Sequence, residues 1–311
     1  MTIASIDIGS NTILLLIAEY NTAENIIQSR ANFYESPRLS EGIKFGDKLT
    51  QDKFSSLISV LSLYKQQIER FNCEKVLIAA TNAFRIISNS NEVIDEVRKL
   101  FDWDIKVITG DEEARLTFLG STFPFQTNSM NNVIDIGGGS TEFIHGDRFS
   151  IHFKKSFDIG VVSLTEKFFG SNLPTENDII AALEYSKNMF AELTGKYSGS
   201  FDTIAVAGTP TTLSCIKQNI RVYNEDKVEN SVLQLNDIET ITDELINQNK
   251  NQVLERYGQV VSGREDVLLA GCLIITSLMK QINIDRVRVS TKGLRYGIVV
   301  DYLIKNSLLN F

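Results

Sequence analysis

Residues 132 to 146 read Asn-Val-Ile-Asp-Ile-Gly-Gly-Gly-Ser-Thr-Glu-Phe-Ile-His-Gly, and the prediction of the fold starts from this stretch. An apolar run leads to a single carboxylate, Asp135, and then to three glycines and two hydroxyl residues. Alternation of apolar and polar residues resumes at Glu142. This pattern predicts a strand, a tight turn and a second strand.

The turn between these strands is a predicted phosphate holder. Glycines can adopt positive φ and allow a ligand to approach the main chain, so we expect several N–H groups to converge on an anion. The residues concerned are Gly137, Gly138, Gly139 and Ser140. Asp135 and Glu142 flank the turn, and such oxygen ligands predict a Mg²⁺ site. A plain glycine-rich hairpin with two solvated carboxylates is the alternative that this stretch leaves open.

A second copy of the motif favours the functional interpretation. Ile6-Asp7-Ile8-Gly9 repeats as Ile134-Asp135-Ile136-Gly137 about 130 residues later, and Ser10-Asn11-Thr12 stands where Gly138 to Thr141 stands. Packing fixes strands, but it does not fix a carboxylate and a turn at matching offsets. We therefore expect a first phosphate loop and two hairpins that hold a phosphate chain from both sides. The expected residues of the first loop are Asp7, Gly9, Ser10 and Asn11.

Length and composition limit the class of protein. A chain of 311 residues suits two domains that share a cleft. A hydrophobic fraction of 43% and a charged fraction of 23% are ordinary for a globular protein with sizeable cores. The net charge of −8 argues against general nucleic-acid binding, so local cationic groups must hold a polyanionic ligand.

The cysteines and apolar runs predict a cytoplasmic protein. Three cysteines lie far apart without metal-ligand spacing, and we expect them to be buried, reduced thiols. The N-terminus lacks a basic region and Asp7 interrupts its first apolar run, which argues against a signal peptide. The longest apolar segment, Val267 to Met279, is too short to span a bilayer and predicts a buried helix. We therefore expect no membrane partner.

Arg85 follows a predicted parallel strand. The run from Lys75 to Ala80 is continuously apolar, as in strands that are covered on both faces. Ligands bind beyond the carboxyl ends of such strands, so Arg85 is a candidate phosphate contact. An ordinary surface arginine is the alternative.

A helix that begins after Thr109 carries the candidate general base. Thr109 and Glu112 fit a capping box, which gives Glu112 a structural role. Glu113 instead shares a helical face with Thr117 and Gly120, and we expect this small, polar face to line a cleft. Glu113 is therefore the better candidate for the base.

Two further segments contribute candidates for ligand binding. Gly208 and Thr209 open a glycine-hydroxyl turn between a strand and a helix, where a phosphate or a sugar could bind. A helix start with a hydroxyl cap is the alternative for this turn. Arg295 follows the last predicted strand and is a candidate cationic contact for a polyanion.

Five motifs together resemble the exopolyphosphatase and guanosine pentaphosphate phosphohydrolase family, Ppx/GppA, within the superfamily of actin, sugar kinases and the heat-shock chaperone ATPase. The motifs are Ile6 to Thr12, Ala80 to Arg85, Gly110 to Leu116, Ile134 to Glu142 and Lys292 to Gly297. The resemblance spans essentially the whole chain. It implies an α/β protein with two ribonuclease H-like (actin-like ATPase) domains and an interdomain cleft. Residues 1–120 with the C-terminal helix 296–311 would form domain I, and residues 121–295 would form domain II.

The same resemblance implies a reaction, Mg²⁺-dependent hydrolysis of the terminal phosphoanhydride of polyphosphate or of guanosine pentaphosphate. The sequence is silent on oligomeric state and leaves a homodimer open. By position, Glu113 corresponds to the catalytic base, Arg85 to a phosphate-binding arginine, and Asp135 and Glu142 to the magnesium carboxylates. Tyr296 stands where many relatives have a glutamate, which leaves the role of Arg295 open. The rival functions are an ATP-using kinase or ATPase of the superfamily and a non-catalytic sensor of guanosine tetra- or pentaphosphate.

Overall fold

The computed structural model describes residues 1–124, 129–147, 150–170, 173–197 and 201–309. The chain divides into two compact units. Unit 1 comprises Met1–Phe123 and Leu294–Phe311, and unit 2 comprises Pro124–Gly293.

Unit 1 contains a five-stranded sheet covered by helices. The strands are β1 (Thr2–Ile8), β2 (Ile13–Asn21), β3 (Ile26–Glu35), β4 (Lys75–Ala80) and β5 (Ile105–Val107). Their order is β3-β2-β1-β4-β5, with the first three antiparallel and with β4 and β5 parallel to β1. The helices are α1 (Gln51–Arg70), α2 (Asn82–Ile86), α3 (Ser90–Phe101), α4 (Gly110–Thr122) and α12 (Leu294–Lys305).

Unit 2 contains a six-stranded sheet with the order β10-β11-β9-β6-β7-β8. The strands are β6 (Asn131–Ile136), β7 (Thr141–Gly146), β8 (Ile151–Phe157), β9 (Asp202–Val206), β10 (Val232–Gln234) and β11 (Arg286–Val289). The helices are α5 (Val161–Phe168), α6 (Glu176–Met189), α7 (Gly208–Lys217), α8 (Glu225–Val228), α9 (Leu235–Ile246), α10 (Lys250–Tyr257) and α11 (Leu268–Gln281). Short 3₁₀ turns lie at Ala191–Leu193 and Gly258–Val261.

The two sheets repeat one topology. An antiparallel three-stranded meander is followed by parallel strands in each unit, as β3-β2-β1-β4-β5 and as β8-β7-β6-β9-β11. Parallel strands need long crossover connections, and helices supply them here. The predicted α/β class with two related units is therefore confirmed, and both predicted hairpins are present as β1-β2 and β6-β7.

Helices bury apolar faces against both sheets. Helix α1 begins after Thr50, whose hydroxyl accepts the Lys53 N–H at 3.4 Å, and it buries Leu57 and Leu61 in the core of unit 1. Helix α12 packs separately, with Val299 and Val300 among the residues of a second cluster.

Helix α11 is buried along most of its length, as the apolar run predicts. Within the described ranges, no helix is long and apolar enough to cross a membrane. Cys215 and Cys272 are buried free thiols, whereas Cys73 is partly exposed, contrary to the expectation of burial.

Candidate active site

The loops of the two hairpins have the same length and the same closing hydrogen bond. The Gly9 N–H donates to the Thr12 carbonyl at 2.9 Å, and the Gly137 N–H donates to the Ser140 carbonyl at 2.9 Å. Thr12 therefore corresponds to Ser140. The sequence alignment, which set Ser10-Asn11-Thr12 against the four residues Gly138 to Thr141, is wrong by one residue at its end. Since the Gly9 and Gly137 N–H groups close the hairpins, they are already used within the protein and are not the donors that a ligand would meet.

The glycines of the second loop are required for a different reason from the predicted one. None of Gly137, Gly138 and Gly139 has a positive φ, so the prediction of left-handed backbone is wrong. A Cβ on Gly137 would lie 3.1 Å from the Ser140 carbonyl oxygen. The loop closes tightly, so a side chain at its first position would require the Ser140 carbonyl to shift by a few tenths of an ångström.

The carboxylates of the second hairpin face each other across the strands. Asp135 pairs directly with Glu142 in the antiparallel register of β6 and β7. Directly opposite residues project from the same face of a sheet with neighbouring Cβ atoms. Glu142 is buried and accepts a hydrogen bond of 2.6 Å from the Ser156 hydroxyl. In the first hairpin Leu14 is opposite Asp7, so that copy has one carboxylate where the second has two.

Unit 1 brings together Glu113 and Arg85, which the sequence separates by 28 positions. Helix α2 follows β4 and helix α4 follows β5, so both residues lie beyond the carboxyl ends of neighbouring parallel strands. The Arg85 Nη1 donates to Glu113 Oε2 at 2.8 Å and to the Ile108 carbonyl at 2.9 Å. The Glu113 side chain is 14% exposed. Burial raises the pKa of Glu113, and the charge of Arg85 opposes this shift.

Asp7 lies near the end of β1 and belongs to the same electrostatic cluster. The pKa of Asp7 is raised from 3.8 to about 7, chiefly by burial and also by the charge of Glu113, while the charge of Arg295 opposes the shift. Its Oδ1 atom is buried and has no hydrogen-bond partner among the described residues. A buried carboxylate oxygen without a donor is suited to a cation, a water molecule or a ligand.

Arg295 and Tyr296 are neighbours in the chain but have different surroundings. Arg295 Nη1 donates to Asn32 Oδ1 at 2.9 Å, and the charge of Arg295 acts on Asp7. Tyr296 is buried in the apolar cluster under α12, with Ile3 among its members. The substitution at position 296 therefore lies in the core, and it does not remove Arg295 from the cluster. Sequence analysis missed the contribution of Asn32, because its position on the edge strand β3 carries no local signal.

Two predictions about α4 need correction. Thr109 Oγ1 accepts the Glu112 N–H at 3.2 Å, but the Glu112 carboxylate binds Arg115 at 2.9 and 3.0 Å instead of returning to the cap. The capping box is therefore half formed, because a guanidinium one turn away is the stronger partner. Thr117 and Gly120 are buried, so this face is packed rather than open to a cleft.

The third glycine-hydroxyl turn is built differently from the hairpin loops. Helix α7 begins at Gly208 after Ala207, which has a φ of 74°, and no side chain caps it. Thr209 is buried, and a Cβ on Gly271 would lie 2.6 Å from its hydroxyl oxygen. The predicted hydroxyl cap is therefore absent at this helix start.

Arg264 lies directly over Gly208, because a Cβ at that glycine would lie 0.9 Å from the Arg264 Nη1. A guanidinium thus covers the start of α7. This contact joins residues 56 positions apart, so no local pattern in the sequence predicts it.

The residues present fit a hard divalent cation in their chemistry. Over the residues that the structure describes, no group of three or more His, Cys, Asp or Glu side chains forms a closed metal site. Mg²⁺ is commonly held by one or two carboxylates, with water and substrate phosphates supplying the remaining ligands. In unit 2 the opposed pair Asp135 and Glu142 supplies oxygen ligands of this kind. Unit 1, considered by itself, supplies the buried oxygen of Asp7.

Comparison with known proteins identifies the family and the fold of the chain. A family model described as the Ppx/GppA phosphatase family matches residues 21–306. The crystal structure of the Aquifex aeolicus member of the Ppx/GppA family superposes with a TM-score of 0.85 at 29% identity, covering 98% of each chain. The chain therefore has the two-domain actin-like ATPase fold of that family.

Three relatives extend the comparison to named proteins. A bifunctional 3-dehydroquinate synthase/phosphatase from Fusobacterium nucleatum is 30% identical, over 96% of this chain and 46% of that protein. A putative exopolyphosphatase from Haemophilus influenzae is 26% identical, over 96% and 90%. A guanosine-5'-triphosphate,3'-diphosphate pyrophosphatase from Aliivibrio fischeri is 24% identical, over 95% and 58%. The chain thus spans about half the length of the first and third of these relatives.

Proposed function

Because the chain belongs to the Ppx/GppA phosphatase family, we propose that it hydrolyses the terminal phosphoanhydride of inorganic polyphosphate or of guanosine pentaphosphate and releases orthophosphate. The names of two relatives, an exopolyphosphatase and a guanosine pentaphosphate pyrophosphatase, supply these two substrate classes. The observation that carries the proposal is the cluster in which Glu113 pairs with Arg85 and shares an electrostatic environment with Asp7.

In the proposed reaction Glu113 is the general base. Its carboxylate accepts a proton from a water molecule, and the oxygen of that water attacks the terminal phosphorus. The bond between that phosphorus and the bridging oxygen breaks, and the bridging oxygen leaves on the shortened chain. Orthophosphate carries away the oxygen of the water. A base works best when its pKa approaches the working pH, and burial shifts the pKa of Glu113 in that direction.

Arg85 orients the base and contacts phosphate in this proposal. Both of its described hydrogen bonds use Nη1, one to Glu113 and one to the Ile108 carbonyl. A guanidinium has five N–H donors in a fixed plane, so Nη2 and Nε can serve phosphate oxygens while Nη1 holds the carboxylate. The positive charge of Arg85 also favours the ionised form of Glu113, which is the form that accepts a proton.

Main-chain and cationic groups neutralise the remaining charge. We assign the N–H groups of Gly138, Gly139 and Ser140 as the phosphate donors of unit 2. Phosphoryl transfer depends mainly on positioning and charge stabilisation, which such fixed donors provide. Arg295 supplies a further positive charge within unit 1.

We further propose Mg²⁺ as the cofactor, with Asp135 and Glu142 as its protein ligands. When bound, the ion neutralises non-bridging phosphate oxygens, which is the usual contribution of a divalent cation to phosphoryl transfer. The Ser156 hydroxyl donates to Glu142 and fixes the orientation of that carboxylate.

A phosphate-release panel tests the proposed function. The purified chain is incubated with long polyphosphate, tripolyphosphate, guanosine pentaphosphate and ATP, each with Mg²⁺ and with a chelator, and orthophosphate is measured by colorimetry. We expect Mg²⁺-dependent release from polyphosphate or guanosine pentaphosphate that is faster than release from ATP. Release from ATP alone would replace the proposal with an ATPase. Nucleotide binding without release of phosphate from any of them would replace it with a sensor.

A further inference from the structure

The loop of the second hairpin is held from behind by helix α5. The Gly137 carbonyl accepts the Val161 N–H at 3.0 Å. The Gly138 carbonyl accepts the N–H groups of Val162 at 2.8 Å and of Ser163 at 3.3 Å. The first turn of α5 therefore uses its free N–H groups on loop carbonyls, and this helix start is not itself an anion site.

These hydrogen bonds determine where the loop N–H groups point. In a trans peptide the C=O and the next N–H point in opposite directions. The Gly137 and Gly138 carbonyls face α5, so the N–H groups of Gly138 and Gly139 face away from it. A carbonyl that accepts hydrogen bonds also polarises its own peptide, which makes the N–H of that peptide a stronger donor.

Gly160 makes this arrangement possible through close approach. A Cβ at Gly160 would lie 2.4 Å from the Gly138 carbonyl oxygen and 2.6 Å from the Gly139 nitrogen. The backbone of Gly160 is extended, with a φ of −139°, so its conformation does not require glycine. The requirement is steric, because any side chain would push the Gly138–Gly139 peptide out of place.

In unit 1, main-chain donors from an unrelated segment also hold carbonyls of the hairpin loop. The Arg38 N–H donates to the Asn11 carbonyl at 3.0 Å, and the Ser40 N–H donates to the Ser10 carbonyl at 3.0 Å. Two consecutive carbonyls are again held by main-chain donors, here from the loop between β3 and α1. With Thr12 aligned to Ser140, Ser10 corresponds to Gly138 and Asn11 to Gly139, so the carbonyl that is held in both hairpins is that of Ser10 and Gly138. Unrelated segments thus support the same one peptide in the two loops.

We propose that Gly160 is a positioning residue that fixes the Gly138 and Gly139 N–H groups in the orientation that binds a substrate phosphate. This inference rests on the proposed phosphatase function of the loop. Gly160 acts through the loop and does not itself touch substrate. The Val161 and Val162 N–H groups complete the support by holding the carbonyls of the same two peptides.

Glycine amide signals report this role directly. The chain has 19 glycines, so labelling with ¹⁵N-glycine gives a sparse amide spectrum in which Gly138 and Gly139 are assigned by substitution. Inorganic phosphate is the probe, because it is the product of the proposed reaction and is not turned over. In the wild type we expect both amide signals to shift on titration with phosphate.

Two variants remove the support in different ways. Gly160→Ala inserts a methyl group against the loop. Val161→Pro removes the donor to Gly137 at the first position of α5, where proline is well tolerated, and the extended Gly160 before it accommodates proline. The matched control is Glu176→Pro, at the first position of α6 in the same unit. Thermal unfolding of each variant checks that the fold is kept.

We expect Gly160→Ala and Val161→Pro to weaken phosphate binding about tenfold or more, as loss of donors to an anion does. Both variants should lose the phosphate-induced shifts of Gly138 and Gly139, whereas Glu176→Pro should keep them. Where release is measurable, kcat/KM should fall by about 10²-fold in the two variants, as on loss of an oxyanion donor.

The outcomes separate this inference from the proposed function. If the wild type releases phosphate but the Gly138 and Gly139 amide signals do not shift on titration with phosphate, the inference is overturned and the proposed function is retained. The inference also fails if the Gly138 and Gly139 amide signals shift in Gly160→Ala and Val161→Pro as they do in the wild type. Signals that shift in the wild type and not in these variants, without release from any substrate, would support the positioning role and overturn the phosphatase.

Discussion

Replacing Asp7 by asparagine tests the electrostatics of the unit 1 cluster. The Asp7 carboxyl has a buried oxygen without a hydrogen-bond donor, and it lies in the field of Glu113. Ionisation of Asp7 in the folded chain is therefore unfavourable when no cation or substrate is present. Asparagine keeps the shape of the side chain and removes the charge.

The magnitude follows from the shift in pKa from 3.8 to about 7. The folded chain binds this proton more tightly than the unfolded chain, so the stability contributed by protonated Asp7 is lost as pH rises from about 4 to about 7. The full difference is about 4 kcal/mol, of which about 2 kcal/mol falls between pH 5.5 and pH 8.5. This is an upper bound, because solvent relaxation around the charge reduces it.

Urea unfolding with chelator at several pH values measures the effect. The single tryptophan, Trp103, lies in unit 1 and its fluorescence reports on that unit. From pH 5.5 to pH 8.5, the free energy of unfolding of the wild type should fall by about 2 kcal/mol because Asp7 loses its proton. This part of the pH dependence should be absent in Asp7→Asn. Asp95→Asn, at an exposed carboxylate of α3, should keep the wild-type slope. Parallel pH profiles for the wild type and Asp7→Asn would refute the reasoning.

Three further predictions address other parts of the chain. Burial lowers the pKa of His145, so the unfolded chain takes up the proton first and stability should fall as pH drops below about 6.5. His145→Phe should lose this dependence in urea unfolding followed by circular dichroism. A methyl at Gly297 would lie 1.7 Å from the Leu116 carbonyl oxygen, so Gly297→Ala should lower the free energy of unfolding by about 2–4 kcal/mol in thermal melts. Glu142→Gln should raise the Mg²⁺ concentration for half-maximal phosphate release about tenfold or more, measured by metal titration.

Each of these predictions has a contrary result. Gly110→Ala is the control for Gly297→Ala, because a Cβ there meets no atom within 4 Å, and it should change stability by less than about 1 kcal/mol. Equal melting of the two alanine variants would refute the clash. The His145 prediction is refuted if His145→Phe loses stability at low pH as the wild type does. The Glu142 prediction is refuted if Glu142→Gln needs the same Mg²⁺ concentration as the wild type for half-maximal phosphate release.

Local pattern was sufficient to predict the hairpins. The alternation around Asp135 and Glu142 and the glycine turn between them are encoded within eleven residues, and the structure forms β6 and β7 there. Strand pairing of this kind depends on neighbouring residues and on turn chemistry, both of which are visible in sequence. The placement of Glu113 and Arg85 beyond parallel strands was equally accessible, because the α/β alternation determines it.

Contacts between distant segments were not predictable in the same way. The peptide orientation at Gly138 depends on α5, which begins more than twenty residues later, and the expected positive φ was therefore the wrong reason for glycine. Glu112 binds Arg115 instead of the helix cap. Which of these two partners is the stronger can be judged only when both side chains have been placed. Burial of Thr117 likewise depends on tertiary packing rather than on helical periodicity.

The central claim, that Glu113 is the base for phosphate release, is tested most directly by comparing Glu113→Gln with Glu112→Gln in one assay. The two carboxylates are neighbours on α4, but Glu113 binds Arg85 and Glu112 binds Arg115. With unfolding curves confirming that both variants fold, Glu113→Gln should release orthophosphate about 10²- to 10⁴-fold more slowly than the wild type, and Glu112→Gln should retain most of its activity. Comparable release by the two variants would contradict the assignment of Glu113.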